Sequence, residues 1–170
     1  YTLLAPVFNV LITENTEDIE VLEGNLAKSW NISPDGKTFT FPLHENVKWH
    51  DGKPFTAADV VTSMEKIMSP PEGLRSARKA LFGTVESVEA LDDNTVAFNL
   101  EFPDAAFLEI LAIGWNVIYP KHILDEFGLD VMDAVGYEHK VGTGPFKPVS
   151  YRLNEVAVLE RNPDYFREGL

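Results

Sequence analysis

Val47-Lys48-Trp49-His50-Asp51-Gly52-Lys53-Pro54-Phe55-Thr56-Ala57-Ala58-Asp59-Val60-Val61 runs through an Asp-Gly turn into the start of a helix. Asp51 and Gly52 suit a chain reversal, because Asp bonds local backbone and Gly accepts positive φ. Thr56 is placed to cap the helix, and Asp59 three residues on completes a capping box. Phe55 and Val60 stand at the two positions of a hydrophobic staple. Val60, Val61, Met64, Ile67 and Met68 then share one helical face, and Pro70-Pro71 ends the run.

Strand patterns lie on either side of this helix. Upstream, residues 26–43 read as two strands around Ser33-Pro34-Asp35-Gly36, with Phe39, Phe41 and Leu43 alternating with Thr38, Thr40 and Pro42. Proline cannot donate to a ladder, so Pro42 predicts an edge or bulged strand. Downstream, a short helix is expected through Leu74, Ala77 and Leu81, stopping at Gly83. Residues 84–102 read as a hairpin turning at Asp92-Asp93-Asn94. Pro103-Asp104 opens a helix carrying Phe107, Leu108, Ile110 and Leu111 and closed by Gly114. Two further short helices are expected at 120–127 and 130–135, each stopped by a glycine, Gly128 and Gly136. After the turn-rich Val141-Gly142-Thr143-Gly144-Pro145, strand patterns occupy 146–151 and 155–161. Helices and strands mix without βαβ alternation, so the fold class is α+β, a mixed or antiparallel sheet with packed helices.

A chain of 170 residues, 45% hydrophobic, is large enough for one core. With 14 Lys and Arg against 27 Asp and Glu, its formal charge is -13. That balance argues against nucleic acid and anionic membrane surfaces, both of which reward clustered cations. Cysteine is absent, which removes disulfides, thiolate metal sites and cysteine nucleophiles. The best apolar stretch, 105–115, is short of the roughly 20 residues that span a bilayer and contains Glu109.

Three segments in order resemble the family 5 solute-binding proteins, which include the oligopeptide, dipeptide and nickel-binding proteins of ABC importers. They are Leu26-Ala27-Lys28-Ser29-Trp30 with 33–41 behind it, the 47–61 stretch, and Gly142-Thr143-Gly144-Pro145-Phe146 followed by Leu159-Glu160-Arg161-Asn162-Pro163-Asp164-Tyr165-Phe166. Asp-Gly turns and capping boxes are common singly; it is their joint register over about 140 residues that carries the resemblance. One departure is local, because His44 follows Leu43 where the family usually has Arg.

The resemblance implies part of the first lobe of a two-lobed type II periplasmic-binding-protein fold. Residues 1–13 would begin the ligand-bearing lobe, 14–140 would form the family's additional subdomain, and 141–170 would return to the lobe. It further implies a monomer outside the cytoplasm, lipid-anchored in the full-length protein. Such a protein binds a peptide or other small solute and delivers it to a membrane permease, and no cofactor is implied. A sensing or protein-interaction module built on the same fold is the alternative, and a hydrolase the remote one.

The 142–144 turn borders the cleft in this reading, which nominates Thr143 and the preceding Tyr137, His139 and Lys140 as ligand-facing. Trp115, Asn116 and Tyr119 mix aromatic and polar character after a helix stop, as solute pockets do, with core packing the alternative for Trp115. His44 and His50 with Asp51 have the wrong spacing for a metal set, and His122 and His139 stand alone. The acid pairs Asp92/Asp93 and Glu14/Glu17 fall in expected turns, where they serve the backbone rather than flank a scissile bond.

Overall fold

A computed structural model describes residues 4–73, 75–128, 140–152 and 155–167. The chain divides into two compact units, each assembled from separated segments. One comprises Tyr1–Asn9, Asn46–Phe55 and Val117–Leu170, and the other Val10–Glu45 and Thr56–Asn116.

The second unit is built on a four-stranded antiparallel sheet. Its strands are β3 (Asn31–Ile32), β4 (Thr38–Pro42), β5 (Val85–Asp92) and β6 (Thr95–Leu100), in the order β3-β4-β6-β5. The Ser33–Gly36 turn forms as its residues dictate, with Gly36 at φ 70° and its N–H donating to the Ser33 carbonyl at 2.8 Å. The β5–β6 turn is fixed by Asp92, whose carboxylate accepts the Asn94 N–H at 2.8 Å. Phe39 pairs with Phe98 across β4 and β6, so both rings lie on one sheet face. Phe107, from α3 (Phe107–Ala112), meets them at 4.7 and 5.4 Å between centroids. Rings at those separations gain about 0.5–1.5 kcal/mol beyond their buried area.

Helix α2 (Ala57–Met68) packs against β5 and β6, burying Val60, Met64 and Ile67 at i, i+4 and i+7. A hairpin of β1 (Ile12–Glu14) and β2 (Leu22–Gly24) completes this unit beside α3. Gly24 is required there by space alone, since an added Cβ would fall 2.2 Å from the Ala27 carbonyl oxygen.

Two expectations are corrected. Strand β4 lies between β3 and β6 with a regular register, so it is neither an edge nor bulged. Pro42 is tolerated because it is the strand's last residue and contributes its carbonyl, which accepts the Lys28 N–H at 2.8 Å. The helix expected through 74–81 is only a 3-10 turn, Lys79–Phe82, and it buries Phe82 while Leu81 stays 42% exposed. Leu74 and the helix expected at 130–135 lie outside the described residues.

In the first unit, α1 (Leu4–Val7), α4 (Lys121–Phe127) and the antiparallel pair β7 (Phe146–Arg152) and β8 (Val156–Arg161) accompany the Asn46–Phe55 loop. That loop closes on itself: the Trp49 N–H donates to the Lys53 carbonyl, the Gly52 N–H to the Trp49 carbonyl, and the Trp49 and Phe55 rings meet edge to face. Gly52 carries the positive φ, 87°, that the Asp-Gly pair predicts. No helix among the described residues is long and apolar enough to cross a membrane.

Both arms of the α2 capping box form, with the Thr56 side chain taking the Asp59 backbone N–H, and the Asp59 arm carries the charge. The Thr56 N–H donates to the Asp59 carboxylate at 2.8 Å, whereas the Thr56 hydroxyl reaches the same oxygen only at 3.4 Å. Asp59→Ala should therefore destabilise by about 2 kcal/mol, a charge-assisted bond at a buried site, and Thr56→Ala by about 1 kcal/mol or less. Urea denaturation of the two variants checks the order; equal losses would make the two arms of the box equivalent.

Candidate functional site

Residues 142–144 pass so close to the start of the chain that no side chain fits at two positions. An added Cβ at Gly142 would lie 1.8 Å from the Val7 carbonyl oxygen, and one at Gly144 2.5 Å from that of Pro6. Neither glycine has a positive φ. What the position requires is the absence of a side chain. The Gly144 N–H donates to the Val7 carbonyl at 2.8 Å, which fixes the approach.

A buried polar network surrounds this crossing. Thr143, 1% exposed, donates its hydroxyl to Asn9 Oδ1 at 2.9 Å, and Asn9 Nδ2 points to the Tyr165 hydroxyl at 3.4 Å. Asn162, buried, donates Nδ2 to the Gly144 carbonyl at 3.0 Å and its backbone N–H to the Pro145 carbonyl at 2.8 Å. His50 faces the crossing with both ring nitrogens: Nδ1 lies 3.2 Å from the Gly142 N–H and Nε2 2.9 Å from the Gly144 carbonyl. Burial holds the imidazole below its ordinary pKa, and the Lys147 charge adds to the effect; the Gly144 carbonyl and Asp51 pull the other way. On α4, His122 Nε2 meets the Asp51 carboxylate at 2.8 Å, with Lys53 at 3.9 Å from the same oxygen.

The nominated residues separate between the units. Thr143 and Tyr119 come together on the Phe8–Asn9 segment: the Tyr119 ring lies against Phe8 at 4.9 Å, and the Ile118 N–H donates to the Asn9 carbonyl. Both side chains are buried, Tyr119 at 5% exposure. Lys140 is half-buried. Tyr137 and His139 lie outside the described residues. Trp115 and Asn116 belong to the other unit. There Trp115 is 63% exposed, and its carbonyl accepts a bond from Arg78. Asn116 is buried, with Nδ2 donating to the Ile110 carbonyl at 2.7 Å and Oδ1 without a partner among the described residues. Leaving such an acceptor unpaired costs about 1–3 kcal/mol.

Asn9 and Asn162 were not nominated. Asn9 could have been noticed as the polar residue inside an otherwise apolar run, Val7-Phe8-Asn9-Val10-Leu11-Ile12. Among the described residues, no three His, Asp or Glu side chains converge as a metal set. An open groove of about 440 Å³ on the four-stranded-sheet unit is lined by Lys28, Glu45, Asp92, Asp93 and Asn94, with none of the nominated residues in it.

Because the Val7 carbonyl is backbone and cannot swing aside, Gly142→Ala should be among the most damaging single substitutions in the chain, costing at least about 4 kcal/mol. Thr143→Val keeps the shape and loses one hydroxyl, so about 1 kcal/mol is expected. Thermal unfolding of both variants, read by circular dichroism, tests the contrast. A Gly142→Ala protein as stable as Thr143→Val would mean that the crossing can move apart.

The profile described as bacterial extracellular solute-binding proteins, family 5 middle, matches residues 21–170. A glutathione-binding protein GsiB of Pectobacterium atrosepticum is 36% identical over 145 residues, covering 85% of this chain and 27% of the relative. The fold is similar to that of the periplasmic binding protein DppA of Helicobacter pylori in complex with the peptide STSA, with a TM-score of 0.83 and 30% identity over 98% of this chain and 35% of that one. It is also similar to the binding protein AgaA of A. tumefaciens R10 in complex with agropinic acid, with a TM-score of 0.84 and 27% identity over 97% of this chain and 32% of that one. The chain thus spans about a third or less of the length of the relatives it matches. With the profile covering most of its residues, the chain belongs to the bacterial extracellular solute-binding proteins of family 5.

Proposed function

We propose that this chain is part of a protein that captures a peptide or peptide-like solute outside the cytoplasm and delivers it to the membrane permease of an ABC importer. The observation that carries the reading is the joint sequence and fold match, over 98% of the chain, to a binding protein whose structure holds a peptide. No covalent chemistry on the solute is part of this reading, and a lipid anchor would keep the protein at the cell surface. The unit containing 46–55 and 117–170 is assigned to the ligand-bearing lobe, and the four-stranded-sheet unit to the additional subdomain. The proposed subdomain is then 10–45 with 56–116, in place of the continuous 14–140 stretch.

Of the nominated residues, Trp115 is the better candidate for touching solute. Trp115 keeps a large aromatic surface exposed, whereas Asn116 is buried. Thr143 and Tyr119 are already engaged, with Asn9 and against Phe8, so their proposed role is to hold the crossing together.

Mass spectrometry of small molecules released from the purified full-length protein, followed by calorimetry with the species found, tests the function. Peptides bound at micromolar affinity, about -8 kcal/mol, are expected. A clamp that closes by hinge motion shares its contacts between two lobes, so residues 1–170 expressed alone should bind only at about millimolar strength. Trp115→Ala in the full-length protein should weaken binding about ten-fold, the loss of one aromatic contact of roughly 1.4 kcal/mol, and leave the melting temperature nearly unchanged. Release of a non-peptide solute would overturn the peptide assignment, and an unaltered affinity in Trp115→Ala would remove that residue from the site.

A further inference from the structure

We propose that His50 is a proton-sensitive latch on the Gly142–Gly144 crossing, closed by the neutral imidazole and released when the ring is protonated. The inference concerns the internal bonding of one unit and stands whether or not the solute reading holds.

The geometry allows one protonation state. Gly142 presents an N–H to Nδ1 at 3.2 Å, so Nδ1 must be the bare, accepting nitrogen. Gly144 presents a carbonyl to Nε2 at 2.9 Å, so Nε2 must carry the proton. The two partners lie one residue apart on the crossing, and the His50 backbone N–H adds a third tie, to the Gly142 carbonyl at 2.8 Å. In this arrangement the imidazole spans a stretch of chain more than 90 residues away in sequence.

Protonation breaks the match. An imidazolium donates from both nitrogens, so Nδ1–H would face the Gly142 N–H, donor against donor. The surroundings do little to favour the cation. On β7, the Lys147 ammonium reaches the His50 carbonyl at 3.4 Å and places a like charge beside the ring. Asp51, the adjacent acid, is engaged by His122 of α4 at 2.8 Å and by Lys53 at 3.9 Å. The Gly144 carbonyl keeps the Asn162 donor at 3.0 Å if the ring withdraws, so the crossing has an alternative bonded state.

The sign of the effect follows. The pKa of His50 is lowered in the folded chain, chiefly by burial. The fold therefore prefers the neutral ring. Its contribution is complete above the unfolded value of about 6.5 and is lost as pH falls through the lowered folded value. Acidification thus loosens the loop's hold on the crossing.

Nitrogen-detected histidine spectra of the isotopically labelled protein at pH 7.5 should show His50 as the Nε2–H tautomer. As the pH is lowered through the His50 transition, the Gly142 amide should shift with the same midpoint as the His50 ring. Its hydrogen exchange, corrected for the intrinsic rate, should rise in step with ring protonation. In His122→Gln these changes should persist; in His50→Asn the Gly142 response to pH should vanish, with circular dichroism reporting that the variant is folded. An Nδ1–H tautomer, a Gly142 amide that does not follow the His50 midpoint, or a response abolished by His122→Gln would each overturn the proposal. Should His50→Asn fail to fold, the tautomer and the shared midpoint in the unsubstituted protein decide alone.

Discussion

Two glycines let one backbone lie directly on another. At Gly142 and Gly144 the chain passes within bonding distance of the Pro6–Val7 backbone, in space that a single methyl group would close. From this contact follow the bond from Gly144 to Val7, the placing of Thr143 opposite Asn9, and the reach of Asn162 and His50 to the same few peptide groups. Polar atoms drawn this far out of water must find partners inside. The network around the crossing meets that demand with side chains from segments that are remote in sequence.

The other unit rests on a different kind of interaction. Its sheet is held on one face by aromatic contacts, with Phe39 and Phe98 opposed across the strand pair and Phe107 set against both. These contacts need no matching donors and acceptors, only volume and register. One unit is therefore specified by shape and the other, at its crossing, by the pairing of individual polar atoms. A small change of position or charge is felt more sharply in the second case.

Local elements of the fold were legible in the residues. The Ser33–Gly36 and Asp51–Gly52 turns, the capped start of α2, the β5–β6 hairpin and the β7–β8 pair all follow from neighbours within a few positions, where backbone preference and periodicity act. The Pro42 reading went astray because a strand's place in a sheet depends on which other strands join it. The helix expected through 74–81 shortened to a 3-10 turn that buries Phe82, a preference set by the surrounding pack. In the candidate site, Thr143 was nominated through its glycines, but its partner Asn9, 134 residues away, was not.

Sequence by itself determined the α+β class, the turns and caps, and, through three motifs in register, the family. Each of these is encoded locally or in the order of short segments along the chain. Tertiary structure alone decided which unit each segment joins, that Gly142 and Gly144 are needed for closeness rather than for φ, and that the two nitrogens of His50 are both claimed by one crossing. The physical reason is common to all three. Close approach and hydrogen-bond pairing between distant segments depend on where folding puts them, and a residue's type carries no record of the peptide group it will meet.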